Sequence, residues 1–169
     1  MKKLICIVLA LVCVLGLVAC TESGNNGTTT KPTGDKNTPK GYLFTYNGTQ
    51  FGVDMAMEGV LTKLGQPDDK HTTESCGFAG YDTVYYYDSI EISTNDELGY
   101  ERIYTIYLKD DLVSTEKNIC VGASADEVKT AYGEPSVTAD NGLTYEKDGM
   151  TLKFNLKDGS VSSILYIMQ

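Results

Sequence analysis

Residues 60–67 read VLTKLGQP and residues 128–135 read VKTAYGEP, nearly the same phrase 68 positions apart. Each phrase closes on Gly-x-Pro, where glycine accommodates the left-handed conformation after a last helical turn and proline blocks resumption. Each therefore predicts the end of a helix. In the first, Met57, Val60, Leu61 and Leu64 fall at i, i+3, i+4 and i+7, one apolar stripe on a short helix, with Asp54 expected as its cap. In the second, Ser124-Ala125-Asp126-Glu127 has the pattern in which Ser and Glu satisfy each other's orphan backbone donors. Ala125, Val128, Ala131 and Tyr132 supply the buried stripe.

The chain after each helix reads as β structure. After Pro135, Leu143 to Glu146 and then Met150, Leu152, Phe154 and Leu156, alternating with Thr151, Lys153, Asn155 and Lys157, predict strands with one apolar face. Asp148-Gly149 and Asp158-Gly159 turn the chain, and Val161 to Ile167 supplies a last strand. After Pro67 the corresponding strands are Val84 to Asp88, a segment around Ile90 and Ile92, and Ile103 to Leu108. Short extended pieces precede both helices, Tyr42 to Tyr46 with its Asn47-Gly48 turn and Leu112 to Val121. The expected fold is α+β: two tandem repeats, about 41–111 and 112–169, each a short helix followed by an antiparallel sheet of about three to four strands. A unit of some 60 residues buries too little surface to be robust alone, which favours two sharing a core.

The chain begins MKK, then runs apolar from Leu4 to Ala19 with a break only at Gly16, shorter than the roughly 20 residues of a spanning helix. Residues 1–19 read as a signal peptide, and Leu17-Val18-Ala19-Cys20 resembles a bacterial lipobox, which implies acylation of the Cys20 thiol and a stable anchor on the outer side of the cell membrane. Thr21 to Lys40 contains no apolar side chain and two of the four prolines, so 20–40 is expected to be a lipidated cysteine and then a disordered tether. Residues 41–169 then form one domain. Without Lys2 and Lys3 the chain carries 12 basic against 23 acidic side chains, a formal charge of -11 that disfavours nucleic acid as a partner.

With a polar cap, a short helix, Gly-x-Pro and antiparallel strands joined by Asp-Gly turns, residues 41–169 resemble the repeat of the β-lactamase-inhibitor-protein-like fold and of BamE/SmpA-type small lipoproteins. They also resemble a set of lipoproteins from Clostridia-type bacteria. The resemblance implies protein binding, as enzyme inhibition in one branch and envelope assembly in the other, and carries over no site residue.

Catalytic signals are sparse. His71 is the single histidine, no HExxH, paired CxxC, GxSxG or phosphate loop is present, and no metal or cofactor is expected. A cysteine nucleophile at Cys76, five residues from His71, would be the least remote enzymatic arrangement. A solvated loop accounts for His71 without it. Cys76 and Cys120, the two thiols left outside the cytoplasm after Cys20, permit one bridge between the repeats. Asp68-Asp69, Asp96-Glu97 and Asp110-Asp111 lack calcium-loop spacing and suit turns.

Tyrosine is the recognition signal: the chain has twelve and no tryptophan. Tyr offers a large contact area with a polar tip and little rotamer entropy. Because side chains alternate along a strand, Tyr85 and Tyr87 share one face and Val84 and Tyr86 the other; Tyr85, Tyr87 and Tyr107 are the expected binding surface. The resulting expectation is a non-catalytic, membrane-anchored module that binds another envelope or extracellular protein, ahead of a solute- or glycan-binding lipoprotein and, last, an enzyme using Cys76 and His71. Mass spectrometry of the membrane fraction is expected to find acylated Cys20 at the mature N-terminus, and Cys20→Ala to release or stall the protein; unmodified Cys20 in membrane-bound wild type would refute this.

Overall fold

A computed structural model describes residues 38–169; the expected leader, Cys20 and the tether up to residue 37 lie outside them. A hairpin of β1 (Phe44–Tyr46) and β2 (Thr49–Phe51) leads into α1 (Met57–Leu64), then β3 (Asp69–Glu74), β4 (Tyr81–Tyr86), β5 (Ile90–Asn95) and β6 (Arg102–Leu108). The second half runs α2 (Ala125–Tyr132), β7 (Val137–Ala139), β8 (Gly142–Lys147), β9 (Met150–Lys157) and β10 (Ser160–Met168). The eight strands from β3 onward form one antiparallel sheet in the order β3-β4-β5-β6-β10-β9-β8-β7.

That order corrects the expectation of two tandem repeats, each with its own small sheet. At the centre β6 pairs directly with β10, from Leu108 opposite Ile164 to Thr105 opposite Ile167, so both halves contribute to one continuous sheet and one core. Two separate sheets would each leave the backbone groups of an apolar inner strand unpaired, at a cost comparable to a lost hydrogen bond for each buried group. The β6–β10 ladder removes both inner edges at once.

The helices form where expected, with different entry chemistry. Ser124 Oγ accepts from the Glu127 amide at 3.2 Å and Glu127 Oε2 accepts from the Ser124 amide at 2.7 Å, the reciprocal cap read from the sequence. These bonds hold the Glu127 carboxyl below its ordinary range. Asp54 does not cap α1. The N-cap is Ala56, which offers no side-chain bond, and Asp54 instead takes a positive φ of 68° and pairs with Arg102 at 3.4 Å. Gly65 and Gly133, both at φ 82°, end the helices and return their amides to Leu61 and Lys129. Beyond β2, which completes the hairpin after the expected Asn47-Gly48 turn, two strands were not expected. β3 (DKHTTE) and β7 (VTA) are the sheet's outer edges and are exposed along their whole length: β3 carries charged side chains, which discourage pairing with other chains, in place of an apolar alternation, and β7 is too short for a pattern to show. The extended piece expected over Leu112 to Val121 reduces to an isolated bridge between Ser114 and Cys120.

A single register row explains the core. Tyr85, Ile92, Ile106, Tyr166, Leu152 and Tyr145 stand side by side across six strands, and every one is buried. Tyr87 donates its hydroxyl to the Gly65 carbonyl at 3.2 Å, and Tyr145 donates to the Gly133 carbonyl at 3.1 Å, so a sheet tyrosine satisfies the last turn of each helix. The β1–β2 hairpin reaches the same face through Phe44, which packs on Tyr166 and Phe51 at 5.8 Å between ring centroids. Asn47 and Gly48 both have positive φ, as this two-residue hairpin turn requires.

The core is thus rich in phenols whose ionisation burial opposes. Burial is the leading cause that raises the pKa of Tyr85, Tyr87, Tyr145 and Tyr166 above 10.0, and it takes Tyr132 to about 12. A folded pKa above the unfolded one gives stability that is complete below the ordinary phenol value and is lost as pH rises through the folded value. Cooperative unfolding is therefore expected as pH climbs beyond about 10, coincident with tyrosinate absorbance. The Tyr166 hydroxyl is buried without a hydrogen-bond partner among the described residues, so Tyr166→Phe is expected to move the alkaline midpoint upward while leaving neutral-pH stability unchanged or higher by about 1 kcal/mol. Titration of the buried core tyrosines at their ordinary value with the fold intact would contradict this.

Candidate functional site

The helices and the hairpin all lie on the face that carries Tyr85, Tyr87, Tyr145 and Tyr166. Among the described residues no helix or strand covers the other face. Two rows of side chains define it: Asp69, Tyr86, Glu91, Tyr107, Leu165 and Lys153 in one, and His71, Val84, Ser93, Thr105, Ile167 and Thr151 in the next. From β4 to β9 these side chains are half-buried, shielded by neighbours within the sheet and open above it. Tyr107 and Leu165 form an apolar centre between Glu91 and Lys153, and Tyr86 stands on the far side of Glu91.

Two bulges set which side chains reach this face. In β6 the buried residues are Ile103, Ile106 and Leu108, a spacing of three and then two that breaks strict alternation. The register shift between Ser93 and Thr94 absorbs the extra residue at Tyr104 and returns Ile106 to the core. Tyr104 stands on the open face, where Phe78 from the β3–β4 loop packs on it at 5.5 Å between centroids. Burial raises the Tyr104 pKa, with Asp82 adding to the rise and a hydrogen bond to Ser93 opposing it. A second shift in β10, between Val161 and Ser163, likewise keeps Ile164 and Tyr166 inside while Leu165 and Ile167 point out.

Of the expected binding tyrosines, only Tyr107 is on this surface. Tyr85 is 1 % and Tyr87 6 % exposed, and both belong to the core. The expected pairing of Tyr85 with Tyr87 on one face is right, but that face is the buried one, because the β4–β5 hairpin places Tyr85 opposite Ile92. Tyr86, Tyr104 and Phe78 are the aromatic members that sequence reasoning did not select, and Leu165 and Ile167 join them from β10.

Tyr85 has a polar end that fixes the edge of the core. Its hydroxyl donates to Glu101 and accepts from Lys70 Nζ at 3.1 Å; Lys70 Nζ lies 3.7 Å from the other Glu101 oxygen and 4.8 Å from the ring centroid. Burial first, then the bond to Glu101, keeps the phenol protonated well above its ordinary range. This makes Tyr85 a strut between β3, β4 and the chain entering β6.

The other sequence candidates are dispersed. His71 is exposed on β3, and Cys76 is exposed in the loop beyond it. No group of three or more His, Cys, Asp or Glu side chains suited to a metal is found among the described residues. Cys76 and Cys120 are both free thiols, which corrects the expected bridge. Cys76 follows Glu74 at the end of the sheet where Asp82, Asn95 and Arg102 align, whereas Cys120 sits by Gly122, whose amide bonds to Val161 beyond the Leu108 end. The length of β6 alone, roughly 20 Å, separates those ends, against the limit of about 7 Å between bridged Cα atoms. A recess of about 230 Å³ near Arg102 is lined by Lys40, Asp54, Asp148 and Met150, and Asp54 there pairs with both Arg102 at 3.4 Å and Lys40 at 4.0 Å.

No family model matches the chain, and no curated protein matches it. Two solved structures do: an extracellular protein containing an SCP domain from Bacillus anthracis str. Ames, at 11 % identity and TM-score 0.41, and a cysteine-rich secretory protein from Staphylococcus aureus subsp. aureus Mu50, at 15 % identity and TM-score 0.43. The matches cover 90 % and 79 % of this chain but only 50 % and 49 % of theirs, so the chain spans about half the length of each. The likeness found is to these proteins and not to the β-lactamase-inhibitor-protein-like or BamE/SmpA-type folds, and that resemblance is set aside.

The two faces make opposite demands on their tyrosines. Tyr85→Ala and Tyr87→Ala are expected to destabilise the fold by about 3–5 kcal/mol, and Tyr86→Ala and Tyr107→Ala by only about 1 kcal/mol. Urea denaturation distinguishes them, and equal losses at all four positions would refute the assignment of faces.

Proposed function

We propose that this chain is an extracytoplasmic lipoprotein that binds another protein through the open face of its sheet and performs no catalysis. The observation that carries the reading is the row in which Tyr107 and Leu165 stand between Glu91 and Lys153, with Tyr86 beyond Glu91, on an uncovered sheet. Half-buried tyrosines with no covering layer suit a contact surface, since each ring supplies area at little entropic cost. The leader and lipobox support the location, and the two similar proteins, one extracellular and one secretory, are compatible with it. A solute-binding reading would draw on the recess near Arg102, but of its two acids, Asp54 and Asp148, Asp54 is already shared between two cations, which leaves few converging polar groups.

Site-specific photocrosslinking in intact cells tests the proposal. A crosslinker replacing Tyr107 is expected to form a discrete protein adduct that one replacing Glu58, on the exposed side of α1, does not form. Tyr86→Ala is expected to weaken the adducted complex by about 1–3 kcal/mol. Absence of any adduct at Tyr107, or the same adducts from both positions, would overturn the reading.

A further inference from the structure

We propose that the protein seated on the open face is a second copy of this chain, packed face to face about a twofold axis that runs parallel to the strands above the β6–β10 seam. This rests on the reading that the open face binds protein, and names the partner. The registers carry it. Along the first row Glu91, Tyr107, Leu165 and Lys153 occupy β5, β6, β10 and β9, placed symmetrically about the seam. A twofold axis parallel to the strands keeps each residue at its height and exchanges left for right, so β6 lies over the second copy's β10, and β5 over its β9. Tyr107 then faces Leu165, and Glu91 faces Lys153, each contact made twice, as an isologous interface requires.

The next row agrees. Thr105 on β6 and Ile167 on β10 exchange in the same way, the threonine methyl meeting the isoleucine, and Ser93 on β5 meets Thr151 on β9. No like charges oppose one another in these two rows between β5 and β9. The inverse arrangement, with the axis perpendicular to the strands, would retain each strand's side and lose the Glu91 to Lys153 match, so charge selects one orientation. Aligned packing of two twisted sheets about 10 Å apart is an ordinary sandwich geometry. Six strands at about 4.8 Å spacing and about 18 Å of strand length give a footprint of roughly 500 Å² on each copy, about 1,000 Å² in all, the lower bound of a stable specific interface.

Sedimentation equilibrium of the acylated chain in density-matched detergent tests this. Wild type is expected to be a dimer. Glu91→Lys and Lys153→Glu, each of which converts two attractive contacts into two repulsive ones, are each expected to weaken association on the order of 100-fold. The combined Glu91→Lys, Lys153→Glu chain is expected to regain the dimer, because reversal of both charges restores both pairs. Circular dichroism spectra of the variants are expected to match wild type, and their melting curves to match it at concentrations too low for dimerisation. A wild type that stays monomeric up to about 0.1 mM, or a dimer that the single reversals leave intact or the double reversal fails to restore, overturns the proposal. Photocrosslinks at Tyr107 separate the two readings: an adduct with a different protein from a monomeric chain overturns the second copy and keeps protein binding, and no adduct overturns both.

Discussion

Everything in this domain depends on the pairing of β6 with β10. Neither strand has another way to satisfy its inner edge. Tyr107 and Leu165, and Thr105 and Ile167, meet there on the open side, while Ile106 and Tyr166 meet on the core side. Breaking that ladder would expose two long apolar strands at once. It would also divide the core row at its centre, leaving Tyr85, Ile92 and Ile106 on one fragment and Tyr166, Leu152 and Tyr145 on the other. Fragments of that size bury too small a share of their surface to stand alone. The seam is therefore what turns two marginal halves into one cooperative domain.

The seam also decides which face is available. Tyr87 reaches up from the end of β4 to the end of α1, and Tyr145 from β8 to the end of α2, so both helices are held on the side of Tyr166. With both covering elements and the β1–β2 hairpin spent on one side, nothing among the described residues remains for the other. An exposed sheet of this length is a hazard unless its edges are blunted. Here β3 is charged and fully exposed and β7 is only three residues long, which discourages edge pairing and leaves the face as the surface open to association.

Much of this could be read from the residues. The helix ends were legible because Gly-x-Pro acts locally, and so was the Ser124 to Glu127 cap, while α1 offered no cap residue and Asp54 was a misleading neighbour with a partner, Arg102, 48 positions away. Strands with a clear apolar side, such as Met150 to Leu156, were legible too. The edge strands were not, since an edge need not alternate. Tandem repetition of the helix-ending phrase suggested two units, but whether two sets of strands make two sheets or one depends on a pairing between residues far apart in the chain, which no local pattern encodes. For the candidate site the missing information was register. The alternation at Val84 to Tyr87 gave two faces without saying which was inside. Tyr87 bonding to Ile90 across the Asp88-Ser89 turn places Tyr85 opposite Ile92, and the unambiguous core residues of β5 would have assigned it.

Charge adds the last constraint on what the open face accepts. Residues 41–111 carry thirteen acidic and four basic side chains, and residues 112–169 carry eight and five, so any two copies repel each other at long range, and most strongly through their first halves. The twofold arrangement over the seam would place each first half above a second half, the less acidic of the two. The repulsion is screened within about 8–10 Å at ordinary ionic strength, whereas Glu91 and Lys153 would meet at contact distance under a layer of tyrosine and leucine that thins the intervening water. Repulsion acts on every encounter and attraction on one, so the acidic surface sharpens the choice of orientation instead of merely weakening association. A general charge barrier with one complementary face would keep chance encounters between copies from becoming aggregation.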